Sequence, residues 1–494
     1  MYISAAMEKE IRRFNAVVNH VKMRGKACLL EGLLNKKNIA QVVFCPQYPD
    51  DRFVHSSSIL IVSAILALLQ FTQYDFIGKR RFRQHPLVVI RFRLWQHVLY
   101  SHYAGQVEWM FFSWLAEKRG VYYTAMKKIL ADRMKYIDSS GIRKVFALAA
   151  QMKDPINFSI GQPDFDTPEA IKREAIQAIE QGVNKYSQTA GDEELLAKIG
   201  GGLKAEFGWE KQKLMITSGV SGGILLAFLV LINPGDEVII PDPYFVMYKH
   251  LVNMLGGKCV FVDCYPDFGL DPSKIADAVT PKTKMIIINS PCNPTGAVFG
   301  GGQLKEISNI ASKNNIIILS DEIYEKFSYD GPCETIVKYC DRAILLRGFG
   351  KTYGVTGWRL GYAAAGGQAG EIIDQMIKIQ QYTFVCAPSP FQKAIAAAMD
   401  YDTTAVVNAY QKKRDLIYDG LNDKFEMVKP AGAFYAFVKA PDGKAGKFVE
   451  KAIANNVLVI PGNVFSEKDT HFRISYATSD DKIRKGIEIL RKMA

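Results

Sequence analysis

Lys351, Arg359, Asp321 and Ser221 have the types and settings to do chemistry together. Lys351 follows an apolar run, Ala343-Ile344-Leu345-Leu346, and the glycines Gly348 and Gly350, which allow a tight turn. A lysine held at the end of a buried strand suits a Schiff base, and Arg359, eight residues on, suits a phosphate. The two are too far apart for one helical face but close enough for opposite ends of one anionic ligand. Asp321 closes another apolar run, Ile316–Ser320, where a buried carboxylate needs a cationic partner. Ser218-Gly219-Val220-Ser221-Gly222-Gly223 opens a helix after Leu214–Thr217, so backbone amides and a positive helix end face an anion, and Ser221 adds a hydroxyl. The string is neither G-x-G-x-x-G nor a G-K-[ST] loop, which points to a single phosphate rather than a nucleotide. Taken singly these features have plain alternatives, since most lysines are solvated surface charges. Arg473, on the alternating pattern His471–Ala477, reads equally well from spacing alone as a surface cation.

The elements that must position these residues alternate strand and helix from residue 214 onward, the pattern of an α/β domain with a largely parallel sheet. Strands are expected at Leu214–Thr217, Glu237–Ile240, Lys258–Val262, Lys284–Asn289, Ile316–Ser320 and Ala343–Leu346, with helices near 221–232, 245–255, 272–279 and 302–314. Ligand sites in such sheets lie beyond the C-terminal strand ends, and the reactive residues fall there repeatedly. Earlier in the chain, a helical period over 132–153 (Val145, Leu148, Ala149, Met152) ends before Pro155. Thr167 is expected to cap a helix with Pro168 in its first turn and Ile171, Ala175 and Ile179 on its apolar face.

Seven ordered strings over roughly residues 130–494 resemble the class I/II aminotransferases, the fold-type I pyridoxal-phosphate enzymes. They are Gly161-Gln162-Pro163-Asp164-Phe165, Lys185-Tyr186 to Gly191, Pro243-Tyr244-Phe245, Asn289-Ser290-Pro291-Cys292-Asn293-Pro294-Thr295-Gly296, Asp321-Glu322-Ile323-Tyr324, Lys351 to Arg359, and Arg473-Ile474-Ser475-Tyr476-Ala477. One departure is Gly348, where many members carry Ser and so have one more hydroxyl for the phosphate. The resemblance implies a large domain over 170–395 with a mostly parallel sheet, and a smaller α/β domain from 126–169 plus 396–494. It also implies pyridoxal 5'-phosphate bound covalently to Lys351, whose freed amine moves the substrate's Cα proton. Asp321 then keeps the cofactor's ring nitrogen protonated, and Tyr324 and Asn293 tune its phenolic oxygen. Phe245 stacks on the ring; Arg359, Val220, Ser221 and Gly222 hold the phosphate. Arg473 and the Gly161 backbone take the substrate's α-carboxylate. Tyr186 reaches the phosphate of a neighbouring subunit, so a homodimer with shared active sites is expected. The implied reaction is ping-pong transfer of an amino group from an L-amino acid to a 2-oxo acid such as 2-oxoglutarate. An aspartate-specific aminotransferase and a lyase on the same fold are the close alternatives. Because Ser221 stands where some aspartate enzymes carry lysine, a broad range including neutral or aromatic donors is expected.

Composition narrows the setting. The 494 residues carry 48% hydrophobic content and a net charge of +12, of which +9 falls in residues 1–125. Five of the seven histidines and three of the five tryptophans lie there too, which marks a boundary near 125. The apolar run Ile59–Leu69 is shorter than the roughly 18–20 residues of a membrane span, so no membrane association is expected. Lys79-Arg80-Arg81-Phe82-Arg83 and Arg91-Phe92-Arg93 raise a nucleic-acid module, as in regulators that fuse a helix-turn-helix to an aminotransferase-like domain. No helix-turn-helix pattern accompanies them, so no nucleic acid is expected, and 1–125 reads as an N-terminal extension, or as upstream sequence before a start at Met126. The eight cysteines form neither a C-x-x-C pair nor a zinc-spaced cluster, which argues for reduced thiols, a cytoplasmic setting and no metal.

Overall fold

The computed structural model describes residues 129–137, 141, 145 and 152–494. The basic segment, the run Ile59–Leu69 and most of the helical period over 132–153 therefore lie outside the described residues. Within that last stretch a short 3-10 helix covers Asp132–Tyr136.

The chain enters through β1 (Ile156–Asn157), α1 (Glu169–Glu180) and α2 (Glu193–Phe207). It then lays down β2 (Gln212–Ser218), α3 (Gly219–Leu231), β3 (Glu237–Asp242), α4 (Met247–Met254), β4 (Lys258–Asp263), α5 (Pro272–Asp277) and β5 (Thr283–Asn289). Next come α6 (Gly301–Lys313), β6 (Ile317–Asp321), β7 (Ala343–Gly348), α7 (Phe349–Thr352) and β8 (Leu360–Gly366). The strands form one seven-stranded sheet in the order β2-β8-β7-β6-β5-β3-β4. Neighbours from β7 through β6, β5 and β3 to β4 pair parallel, while β8 runs antiparallel to both β2 and β7.

Both faces of this sheet are covered, which is why its strands read as continuous apolar runs. Ile239, Ile286, Ile288, Ile318 and Leu345 pack on one face, whereas Val238, Ile240, Ile287, Leu319 and Leu346 pack on the other. Side chains alternate at period two along each strand, so register fixes which face each residue serves. The expected strands and helices match these elements to within three residues at either end.

After β8 the chain forms α8 (Gly370–Gln380), α9 (Ser389–Ala398) and α10 (Thr404–Leu421). A second, antiparallel sheet follows in the order β11-β12-β9, built from β9 (Tyr435–Lys439), β11 (Ile460–Pro461) and β12 (His471–Ser475). β10 (Val457–Leu458) pairs parallel with β1. Its core is aromatic, with Phe158, Phe327, Phe434, Tyr410 and Phe472 packed together. Among the described residues no helix is long and apolar enough to cross a membrane.

Three local expectations are corrected. Pro168, not Thr167, is the N-cap of α1, and the Thr167 hydroxyl instead donates to the Gly354 carbonyl at 3.3 Å. The buried face of α1 is Ile171, Ala175 and Ala178, while Ile179 is exposed. Lys351 lies in the four-residue helix α7 rather than in a glycine turn: Gly348 is extended (φ −161°), and Gly350 lies within α7.

Candidate active site

The C-terminal ends of β2, β3, β5, β6 and β7 share one edge of the large sheet, and a cavity of about 270 Å³ opens there, near the lower end of the range for small-molecule and cofactor sites. Of the expected site residues, Gly161, Val220, Ser221, Phe245, Asn293, Asp321, Tyr324, Lys351, Arg359 and Arg473 line it. Gly222 does not; a Cβ there would meet Ser218 Cβ at 3.1 Å and the Phe384 ring at 3.6 Å. Tyr186 does not either, being 83% exposed.

Lys351 projects from α7, one turn beyond the end of β7. Its amine donates to the Gly161 carbonyl and lies 5.7 Å from the ring centres of Tyr324 and Phe434. Burial lowers its pKa to about 8, helped by the nearby Arg473 and Arg359 guanidinium groups. The amine is thus partly neutral near physiological pH, which suits a nucleophile or a proton carrier.

Asp321 ends β6 and is 3% exposed. Burial raises its carboxyl to about 6, opposed by a hydrogen bond from the Tyr248 phenol at 2.6 Å and a long one from the Ile323 amide at 3.3 Å. Tyr324, three residues on, shares a 2.8 Å hydrogen bond with Tyr435, and burial keeps its phenol protonated.

The start of α3 and Arg359 form an anion cradle. A Cβ at Gly219 would meet Arg359 Nη2 at 2.8 Å, so the guanidinium lies against the helix start. Arg359 itself occupies the left-handed region (φ 55°), uncommon for a residue with a side chain, and its Nη1 donates to the Thr356 carbonyl at 3.0 Å. Helix-start amides, the Ser221 hydroxyl and one guanidinium match a phosphate-sized anion.

Arg473 stands in the central strand of the small sheet and is 1% exposed. Its guanidinium lies 4.6 Å from the Tyr435 ring centre and 4.5 Å from that of Phe465. Nη1 donates to Asn293 Oδ1 at 3.0 Å and Nη2 to the Ser159 carbonyl at 2.7 Å, while Nε has no partner among the described residues. No carboxylate within the described residues pairs with it. A buried guanidinium bound only to neutral acceptors favours an incoming anion.

Several contributors escaped the sequence reading. Asn289 closes β5, donates to the Asp321 carbonyl at 2.9 Å, and accepts from the Asn293 amide at 2.9 Å. Tyr435 backs both Gly161 and Tyr324, because a Cβ at Gly161 would meet its oxygen at 2.5 Å. Glu322 points away from the cavity and pairs with buried Arg347 at 2.9 Å, and Arg347 also binds Glu206 of α2 at 2.7 Å. The N-x-P-x-N-P-T-G string could have flagged Asn289; nothing local flags Tyr248 or Glu206.

Residues 153–490 match the family model described as aminotransferase class I and II. A probable aspartate aminotransferase of Methanocaldococcus jannaschii is 40% identical over 375 residues, covering 74% of this chain and all of that one. Aromatic-amino-acid aminotransferase 2 of Thermococcus litoralis is 37% identical over 383 residues, covering 74% of this chain and 98% of its own length. In structure, the aspartate aminotransferase of Thermus thermophilus with maleate superimposes with a TM-score of 0.70 at 32% identity, over 74% of this chain and 99% of that one.

Proposed function

The chain belongs to the class I and II aminotransferases, and from that premise we propose that Lys351 holds pyridoxal 5'-phosphate in the cavity above the large sheet. It is an enzyme that transfers an amino group from an amino acid to a 2-oxo acid. The observation that carries the cofactor reading is the convergence of a buried amine, a buried carboxylate and an anion cradle on one cavity.

In this reading Arg359, Ser221, Val220 and the amides at the start of α3 hold the phosphate. Asp321 faces the ring nitrogen, where a carboxylate stabilises a bound proton. Phe245 supports the ring, and Tyr324 and Asn293 serve its oxygen. When bound, the cofactor supplies the electron sink for the charge left as the substrate's Cα proton departs. Lys351, with its amine partly neutral, takes that proton and returns it. Arg473 and Asn293, with the Gly161 backbone, hold the substrate's α-carboxylate, so the Cα–H bond is presented to the amine. Residues 170–395 form the large domain, and 126–169 with 396–494 the small one. The seven-stranded sheet falls wholly in the first range and the three-stranded sheet wholly in the second, which supports this division.

Tyr186 is read as serving the phosphate of a second copy in a homodimer. In support, its loop is pinned although the ring is exposed. Ser389 Oγ donates to the Lys185 carbonyl at 2.7 Å, Gln392 Nε2 to Ser187 Oγ at 3.0 Å, and Gln380 Nε2 to the Thr189 carbonyl at 2.6 Å.

Substrate range follows from counting cations. The cations lining the cavity are Lys351, Arg359 and Arg473, and each has a task. None is left on this chain, among the described residues, for the second carboxylate of aspartate; Ser221 offers only a neutral hydroxyl. We therefore expect a broad enzyme that takes neutral or aromatic donors besides glutamate. The test is kcat/KM for aspartate, alanine and phenylalanine with 2-oxoglutarate. A preference for aspartate above about a hundredfold over both, some 2.7 kcal/mol, would favour the aspartate-specific reading instead.

A further inference from the structure

We propose that Tyr248 is a positioning residue for Asp321, its phenol O–H holding that carboxylate in place as an anion beneath the cavity. The inference deepens the reading given above and rests on Asp321 being the partner of the cofactor's ring nitrogen.

Tyr248 is the second residue of α4 and 1% exposed. Its oxygen lies 2.6 Å from Asp321 Oδ2, and the two residues are 73 positions apart in sequence. This is the short distance of a charge-assisted O–H···O⁻ bond, roughly twice as strong as a neutral one. The other donor to the carboxylate, the Ile323 amide, is at 3.3 Å and correspondingly weak. Asp321 is the costlier of the two groups to bury, so the phenol serves the carboxylate more than the reverse. Burial and the Asp321 charge both push the Tyr248 phenol well above its ordinary range, so it remains a donor.

The placement is economical. Phe245, which lines the cavity, lies three residues before Tyr248, and their rings meet edge to face at 5.7 Å. The turn that leads into α4, closed by the Tyr248 amide donating to the Phe245 carbonyl at 3.1 Å, thus delivers both an aromatic wall to the cavity and a donor to the carboxylate. Asn289 steadies the same strand end by donating to the Asp321 carbonyl at 2.9 Å, and Tyr248 is the short donor to the carboxylate group itself.

Tyr248→Phe removes one oxygen and keeps the ring, so the packing survives. The experiment is a double-mutant cycle with Asp321→Asn, reading the dissociation constant of pyridoxal 5'-phosphate from each apoprotein by equilibrium dialysis. Circular dichroism and the Tm of each apoprotein serve as the folding check. Tyr248→Phe alone is expected to weaken binding about ten- to a hundredfold, the loss typical of a hydrogen bond to a charged group. In the Asp321→Asn background the same change should add less than about twofold. An equal loss in both backgrounds would make Tyr248 merely structural and overturn the proposal. Unchanged binding in Tyr248→Phe, with weakened binding in Asp321→Asn, would overturn it while leaving the role of Asp321 intact. Unchanged binding in Asp321→Asn would remove that role and the proposal together.

Discussion

The amine of Lys351 sits where burial and two guanidinium groups, Arg473 and Arg359, oppose its charge. That cost is measurable in the cofactor-free protein. The folded pKa of about 8 lies below the ordinary 10.5, so the unfolded chain keeps a proton between these values that the folded chain has released. Stability from this group therefore rises with pH across that window, and its charge penalty is fully present below pH 8. Lys351→Met, which carries no charge, should gain stability over the wild type below pH 8 and lose that advantage as pH climbs toward 10.5. Urea denaturation of both apoproteins from pH 6 to 10.5 checks this; a difference that does not vary with pH would refute it. Gly348 shows the limit of reading a departure from a motif as a lost contact only. A side chain there would meet Ile323 Cδ1 at 2.8 Å and Val220 Cγ2 at 3.1 Å, so the position is also crowded.

At the scale of elements, the strand ends were legible because both sheet faces are buried. Runs such as Met285–Ile288 and Ile316–Leu319 are uniformly apolar and give way to Asn289 and to Ser320-Asp321, where the polar chemistry begins. The small helix α7 was not legible, since Phe349-Gly350-Lys351-Thr352 is too short for any period, and Gly350 with Gly348 before it suggests a turn. Tyr248 was invisible for a different reason: its partner lies far away in sequence, and in α4 it reads as ordinary packing. The joint between β8 and α3 was equally hidden. A Cβ on Gly361 would meet the Gly219 carbonyl carbon and the Val220 nitrogen at 2.8 Å, and the Arg347 oxygen at 3.0 Å. All three are backbone atoms, so Gly361→Ala must push the start of α3 away from Arg359. We expect it to cost about 1–3 kcal/mol of stability and to weaken pyridoxal 5'-phosphate binding as well. Gly202→Ala is the control, because nothing lies within 4 Å of that added carbon in the exposed face of α2. It should stabilise the protein by about 0.5–1 kcal/mol and leave binding unchanged. Equal cofactor binding in wild type and Gly361→Ala would argue against the cradle at this joint.

For the whole molecule, the chemistry-bearing motifs lie beyond the charge boundary, and the family match begins at residue 153. Removing residues 1–125 should therefore leave activity and thermal stability nearly unchanged; an insoluble or cofactor-free 126–494 protein would make the extension part of the fold. The proposed sharing of sites between two copies makes a sharper forecast. Mixing Lys351→Ala with Tyr186→Ala protein should restore activity above either alone, because in the proposed homodimer a mixed pair would have one site with Lys351 from one copy and Tyr186 from the other. No restoration after confirmed subunit exchange would mean that Tyr186 does not serve a neighbouring copy. If Lys351 carries the cofactor, as proposed, covalent trapping will find it there. The full chain loaded with pyridoxal 5'-phosphate is reduced with borohydride, digested, and mapped by mass spectrometry. One reduced pyridoxyl adduct per chain is expected, on Lys351, and none in Lys351→Ala; an adduct on another lysine, or no adduct in the wild type, would overturn the assignment.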